Sequence, residues 1–132
     1  IMEWKKSTYI KDWFLTGSRE ICSPPVMDTD IDYCIICKSY SDLFYFQVSL
    51  DDAGYSVLGR KYPNSSSCVF RKGNEDLILF REEIDFRRWK VATQLAKRFN
   101  LVEKEDRVAL FSALRDPSFE GNYSRPCVEE WV

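Results

Sequence analysis

The sequence contains no histidine among its 132 residues. Histidine is the side chain that most often serves as a general base at neutral pH, and it is the commonest ligand of protein-bound metals. Its absence leaves oxygen atoms as the donors for any metal, and oxygen donors suit magnesium and other hard cations. The sequence therefore disfavours zinc or iron centres and histidine-based catalysis.

The chain also lacks an apolar run of about 18 residues, the length at which a membrane-spanning helix becomes a candidate. Its first residues, IMEWKK, lack the apolar stretch of a secretory signal. We therefore expect a cytoplasmic protein. We also expect Met2 to be the natural start of a nearly whole gene product.

Cysteine is present in an odd number, five, and Cys34 and Cys37 lie inside an apolar run. Reduced, packed thiols fit this pattern better than disulfides. Cys34 and Cys37 form a CxxC, but no second pair follows, and alternation along a strand places the two thiols on opposite faces. We therefore assign them no zinc or redox role.

The sequence has little net charge, −2, from 19 basic and 21 acidic residues. It therefore lacks the broad positive field that sequence-independent nucleic-acid binding requires, and any contact with a polyanion must be local. With 45% hydrophobic residues and no repeat or low-complexity linker, the chain supports one core. We expect one domain over residues 1–116 and a C-terminal tail over residues 117–132.

Hydrophobic periodicity predicts five strands and three helices, which together indicate a single α+β domain with a small mixed or antiparallel sheet flanked by helices. The predicted strands cover residues 13–16, 30–38, 55–60, 67–71 and 75–80, and the last two form a hairpin across Lys72-Gly73-Asn74. The first predicted helix runs from a cap at Ser41 to residue 52. The second covers residues 82–100 and turns Trp89, Ala92, Ala96 and Phe99 inward. The third covers residues 104–114 and turns Val108, Phe111 and Leu114 inward.

The stretch that indicates chemistry is Gly17-Ser18, followed after eleven residues by Asp30-Ile31-Asp32. Alternate residues of a strand share a face, so both carboxylates project together from the start of an apolar strand. Two like charges held there repel each other, and a bound magnesium ion commonly offsets this repulsion. Magnesium binds a few carboxylates together with waters and phosphate oxygens. Glycine lets backbone and hydroxyl groups approach a phosphate closely, and Arg19 adds a fixed cation.

The order of these motifs resembles the polymerase-beta-like nucleotidyltransferase superfamily. That family has a hydrophobic strand, Gly-Ser, a gap of roughly ten residues, Asp-x-Asp, and a third carboxylate on a neighbouring strand. Leu15-Thr16-Gly17-Ser18-Arg19 and Asp30-Ile31-Asp32-Tyr33 match this order. The chain is also similar to small phage-encoded nucleotidyltransferase-like proteins, through residues 89–93 and 104–111. For a phage protein, the expected location is the host-cell cytoplasm.

The resemblance implies a nucleotidyltransferase-like fold, a nucleoside triphosphate substrate and two magnesium (or manganese) ions. By this resemblance Asp30 and Asp32 hold both ions, and Gly17 and Ser18 hold the triphosphate. Asp76 supports the ion on the side of the nucleophile. Glu75, which adjoins Asp76 on the opposite strand face, is the alternative third carboxylate.

Basic residues form one stripe of the helix predicted over residues 82–100, and among them we predict Lys90 as a nucleotide contact because it follows the third-acid strand. The alternative is a solvated helix face. Asp28-Thr29-Asp30-Ile31-Asp32 is not a calcium loop, because its sixth position is Tyr33 rather than glycine.

Three functional hypotheses follow. The first is a nucleotidyltransferase that moves a nucleoside monophosphate to a hydroxyl of RNA, a protein or a small molecule. The second is a catalytically weak member of the fold that acts by binding a nucleotide or a host protein. The third is an unrelated α+β protein whose acidic pair is a solvated strand end.

Overall fold

The computed structural model describes residues 3–24, 30–59 and 66–115. Within these ranges the chain forms one five-stranded sheet, four α-helices and a short 3-10 helix. The strands are β1 (Ile10–Thr16), β2 (Ile31–Cys37), β3 (Ser56–Gly59), β4 (Ser67–Lys72) and β5 (Glu75–Phe80). The α-helices are α1 (Ser18–Ile21), α2 (Tyr40–Asp52), α3 (Glu83–Arg98) and α4 (Lys104–Arg115), and the 3-10 helix covers Trp4–Lys6. In this part of the chain, none of the helices has the length and apolar character needed to cross a membrane.

The sheet is mixed, with the strand order β1-β2-β5-β4-β3. β2 and β5 run parallel, and every other neighbouring pair is antiparallel. β1 and β4 therefore end where β2 and β5 begin, and we call this end of the sheet the site end. The predicted α+β class with a mixed sheet and flanking helices is confirmed.

The two central strands, β2 and β5, are buried on both faces of the sheet. On one face, Cys34 packs with Trp89 of α3 and with α4; we call this the α3–α4 face. On the other, Cys37 packs with Phe46 of α2; we call this the α2 face. Strands buried on both faces are continuous apolar runs, which explains the sequences YCIIC and LILF.

The cysteines follow the prediction for Cys34 and Cys37, which lie on opposite faces. All cysteines within the described ranges are free thiols. Burial, with the nearby charge of Asp42, raises the pKa of the Cys37 thiol to about 12. Little of this residue is therefore thiolate at neutral pH, which is the form that metal binding and redox chemistry require.

The start of β1 and the cap of α2 differ from the predictions. β1 begins at Ile10, and it is largely half-buried or exposed rather than the short buried strand predicted from Trp13, because it is an edge strand with one neighbour. The cap of α2 is Ser39 rather than Ser41: its hydroxyl accepts a hydrogen bond from the backbone N–H of Asp42 at 3.1 Å. This is the usual N-cap interaction with the third helical residue.

Two side chains predicted to face the core are exposed. Phe99 is 65% exposed because α3 ends at Arg98, so that Phe99 caps the helix and does not continue its buried stripe. Val108 is 41% exposed, whereas Phe111 and Leu114 of the same helix are buried as predicted. The predicted tail over residues 117–132 lies outside the described residues.

Candidate functional site

The site end of the sheet brings the predicted carboxylates together. Thr16 at the end of β1 pairs with Asp32, and Asp32 pairs with Asp76 at the start of β5. Asp32 and Asp76 are register partners, so their side chains project from the same face, the α3–α4 face. Asp30 also reaches this group, because Arg71 hydrogen-bonds to both Asp30 and Asp76.

Glu75, the alternative third carboxylate, lies on the opposite face. Its carboxylate accepts hydrogen bonds from Trp4 Nε1 at 3.0 Å and from the Tyr55 hydroxyl at 2.6 Å. Burial, and then the hydrogen bond to Glu75, raise the pKa of Tyr55, so Tyr55 stays protonated as a donor. The structure therefore places Asp76, and not Glu75, beside Asp32. The metal-binding role of Asp76 stays a prediction.

Arg71 is the most prominent charge that the sequence analysis missed. Its Nε lies 2.6 Å from Asp76 Oδ1, and its Nη2 lies 2.8 Å from Asp76 Oδ2 and 2.5 Å from Asp30 Oδ2. The side chain of Asp76 is only 4% exposed, whereas that of Arg71 is 39% exposed. The hydrogen bond to Asp76, and then the charge of Asp76, raise the pKa of Arg71. A guanidinium therefore balances the carboxylates for which magnesium was predicted.

Gly17 brings the backbone close to the carboxylate of Asp32. Its φ is +81° and its ψ is −178°, a region that is essentially open to glycine alone. A Cβ at this position would lie 2.2 Å from Asp32 Oδ2. The glycine is therefore required twice, for its backbone conformation and for the space that the Asp32 carboxylate occupies.

A closed hydrogen-bond network fixes the end of β1 beneath Gly17. Trp89 Nε1 donates to Thr16 Oγ1 at 3.2 Å, the hydroxyls of Thr16 and Thr93 lie 2.7 Å apart, and Thr93 Oγ1 donates to the Trp89 carbonyl at 2.9 Å. Each hydroxyl has one proton to donate. Thr93 donates to the carbonyl, so Thr16 donates to Thr93 and accepts from Trp89. The network joins β1 to α3 and holds the turn that presents Gly17 and Ser18.

A cavity of about 190 Å³ opens beside this turn. Gly17, Ser18 and Asp32 form one side, and Lys104 and Arg107 of α4 lie among the other lining residues. The volume is below the range of about 300–1,000 Å³ that is typical of pockets for small molecules. The cavity therefore suits a phosphate group better than a whole nucleotide.

The two cations of α4 differ in their availability. Arg107 Nη1 donates to the carbonyls of Leu101 at 3.0 Å and Val102 at 2.8 Å, so this residue braces the connection from α3 to α4. Lys104 is exposed, and it has neither a hydrogen bond nor an ion pair with any other described residue. Neither residue was predicted, because their position depends on how α4 packs across the sheet.

The other two predicted contacts, Arg19 and Lys90, do not line this cavity. Arg19 lies on α1, directly after Ser18. Lys90 Nζ lies 3.6 Å from Asp12 Oδ2, on the middle of β1. The structure thus brings Gly17, Ser18 and the carboxylates together but does not bring Lys90 to them, and nucleotide contacts by Arg19 and Lys90 stay predictions.

The donor set fits magnesium in its chemistry, because carboxylate oxygens are the ligands that Mg²⁺ prefers. Across residues 3–24, 30–59 and 66–115, no group of three or more acidic or cysteine side chains is arranged to hold a metal ion. The contacts explain this, since Arg71 takes oxygens of both Asp30 and Asp76. Arg71 thus holds two of the three carboxylates that were predicted to bind the metal.

Comparison with solved structures gives a likeness at the level of the fold. The chain is similar to the crystal structure of the conserved protein GrpB from Enterococcus faecalis, with a TM-score of 0.54 and 14% sequence identity, over 95% of this chain and 82% of that chain. The likeness shows the fold. No protein-family model matches the chain, and a search of curated proteins finds no match.

Proposed function

We propose that the protein is a cytoplasmic, magnesium-dependent nucleotidyltransferase that moves a nucleoside monophosphate from a nucleoside triphosphate to a hydroxyl acceptor. One observation carries this proposal: Asp30, Asp32 and Asp76 converge beside Gly17 and Ser18 at one end of the sheet. The residues whose order in the sequence resembles nucleotidyltransferases thus also lie close together in space, at the site end of the sheet.

Asp30, Asp32 and Asp76 are the residues that would hold magnesium. The bound metal would supply activation of the attacking hydroxyl and stabilisation of the pyrophosphate leaving group. The close approach of Gly17 to Asp32 supports this assignment, because it holds the phosphate-binding turn directly against a metal ligand. A triphosphate on the turn would then present its oxygens to the same carboxylate edge.

The triphosphate would lie between the two sides of the cavity. Ser18 offers a hydroxyl, and Gly17 offers a backbone without a side chain to block the approach. Lys104 lies across the cavity on α4, and its ammonium group has no hydrogen bond or ion pair within the described residues. A cation at this point offsets the phosphate charge locally, which a chain of net charge −2 requires.

A second function is favoured by Arg71. Its paired hydrogen bonds to Asp76 and its contact with Asp30 occupy the predicted metal ligands. If these bonds persist when a nucleotide binds, the protein binds the nucleotide but transfers it slowly or not at all. Such a protein would act through its nucleotide-bound state or through a partner, for which a host protein is the candidate if the gene is phage-encoded.

Incubation with labelled nucleoside triphosphates, Mg²⁺ and a mixed pool of RNA, protein and small-molecule acceptors separates the two functions. The first function predicts label in an acceptor and release of pyrophosphate. The second predicts triphosphate binding, measured by equilibrium dialysis, without transfer to any acceptor. Absence of both binding and transfer contradicts both functions.

Ser18→Ala is expected to weaken binding of the triphosphate by about 1.5–3 kcal/mol, the range for a hydrogen bond to a charged group. Lys104→Met should weaken it as well, and its effect should shrink as salt is raised, because the ammonium acts through charge. Titration calorimetry with each of the four triphosphates measures both. Ser112→Ala, an exposed change on α4, is the control. Unchanged affinity in Ser18→Ala removes that hydroxyl from the site.

A further inference from the structure

Arg71 bridges two of the three predicted metal ligands. It forms a two-pronged contact with Asp76, and the same Nη2 reaches Asp30 at 2.5 Å. Such paired contacts are the stronger and more geometrically specific form of the ion pair between arginine and a carboxylate. Within the part of the chain that the structure describes, Arg71 is thus the cation that occupies the predicted metal position.

A metal ion on the carboxylate oxygens that Arg71 contacts would lie close to the guanidinium, and the two positive charges would repel each other. Mg²⁺ binds its oxygen ligands at about 2.0–2.1 Å in near-octahedral geometry, and both oxygens of Asp76 already accept hydrogen bonds from Arg71. Asp76 is nearly buried, so its charge is stabilised by the paired guanidinium. Metal binding at Asp76 is therefore opposed by Arg71 in its present position.

Deprotonation cannot release Arg71. Its neighbours raise its pKa, first through the hydrogen bond from the guanidinium to Asp76 and then through the charge of Asp76, and arginine is protonated at physiological pH in any case. A competing anion that accepts the guanidinium would therefore be the effective way to draw it from the carboxylates. Arg71 is 39% exposed, so a ligand can reach it from solvent.

We propose that Arg71 makes divalent-metal binding at Asp30 and Asp76 conditional on a bound polyphosphate. This inference rests on the proposed function, because it assumes the same metal ligands. A polyphosphate supplies oxygen ligands to the metal and offers the displaced guanidinium a bidentate acceptor. Without it, the metal binds against the charge of Arg71.

The test is a titration with Mn²⁺ alone, followed by electron paramagnetic resonance of the free ion. Arg71→Met is expected to bind Mn²⁺ at least about tenfold more tightly than the parent, since close charge pairs commonly couple by more than this factor. Arg81→Met removes the same charge from an exposed arginine that pairs with Glu82, and it should behave as the parent. Arg71→Lys keeps the charge but loses the two-pronged geometry, so its affinity for Mn²⁺ should lie between those of the parent and Arg71→Met. If Arg71→Met folds poorly, tighter binding by Arg71→Lys than by the parent still tests the inference.

A second titration with Mn²⁺ and inorganic tripolyphosphate distinguishes the ways in which the inference can fail. The expected result is that the parent binds the complex, while it binds Mn²⁺ alone weakly. Equal affinity of parent and Arg71→Met for Mn²⁺ alone, with the complex still bound by the parent, overturns the inference but leaves the proposed function. If Arg71→Met binds the complex and the parent does not, Arg71 excludes the metal even when polyphosphate is present. That result overturns the conditional role. No binding in any protein overturns both.

Discussion

Asp32→Asn is expected to lower the rate of nucleotidyl transfer by more than about 100-fold, because loss of an outer-shell partner of a metal ligand already costs about 10- to 100-fold. Asp32 lies between the backbone of Gly17 and the carboxylate of Asp76, so it contributes to both the metal side and the phosphate side of the site. Transfer of label from a triphosphate to the acceptor pool measures the effect. Asp76→Asn should reduce transfer to a similar extent.

The matched control for Asp76→Asn is Glu75→Gln, one residue away on the opposite face of β5. Glu75 bonds to Trp4 and Tyr55, away from the aspartates, so this variant should keep most of the activity. Asp76 also pairs with Arg71, so all rates are compared at equal folded fraction. Full activity of both aspartate variants in conditions where the parent is active would refute the metal assignment. Equal loss in Glu75→Gln would show that β5 merely needs its native position.

Gly17→Ala is expected to lower the free energy of unfolding by about 1–3 kcal/mol through its backbone conformation alone. A further loss should come from the Cβ, which would lie 2.2 Å from Asp32 Oδ2. The carboxylate of Asp32 has to move to relieve this overlap, so triphosphate binding in the presence of Mg²⁺ should also be lost. Urea unfolding and titration calorimetry measure the two effects.

Gly59→Ala separates the two causes. Gly59 also has a positive φ, +93°, but a Cβ there would meet no atom of the described residues within 4 Å. This variant should show backbone strain without the overlap and should keep the parent's affinity for the triphosphate. If Gly17→Ala is no more destabilising than Gly59→Ala and binds the triphosphate normally, the close approach of Gly17 to Asp32 is not a constraint on the site.

Most of the carboxylate cluster could be predicted because it depends on short-range rules. Alternation along a strand puts Asp30 and Asp32 on one face, and the same rule separates Asp76 from Glu75. The apolar runs of β2 and β5 are typical of strands covered on both sides, and residues of both strands lie in both cores. These features need only a few consecutive residues.

The position of Arg71 could not be read from the predicted hairpin because it depends on register. The sequence predicts the turn at Lys72-Gly73-Asn74, whereas Lys72 pairs with Glu75 and leaves Gly73 and Asn74 as the turn. The pairing sets Arg71 directly opposite Asp76. A register assigned from a two-residue turn would have predicted this ion pair.

The rest of the site depends on tertiary packing. Lys104 follows Ser18 by more than eighty residues, and only the packing of α4 over the α3–α4 face brings it to the cavity. The partial exposure of β1 likewise follows from its place at the edge of the sheet. Sequence periodicity reports which face of an element is apolar, but it does not report which strand lies at an edge or which helix crosses a site.

The central claim is that these carboxylates, with Gly17 and Ser18, form one site for a magnesium-bound triphosphate. Urea unfolding of the parent, Asp32→Asn and the exposed control Asp52→Asn, each with chelator and with Mg²⁺ plus each triphosphate, tests it most directly. At least one triphosphate should stabilise the parent and Asp52→Asn by about 1.4 kcal/mol for each tenfold excess over the dissociation constant, and should stabilise Asp32→Asn little. No stabilisation of the parent by any triphosphate, or equal stabilisation of the parent and Asp32→Asn, would contradict the claim.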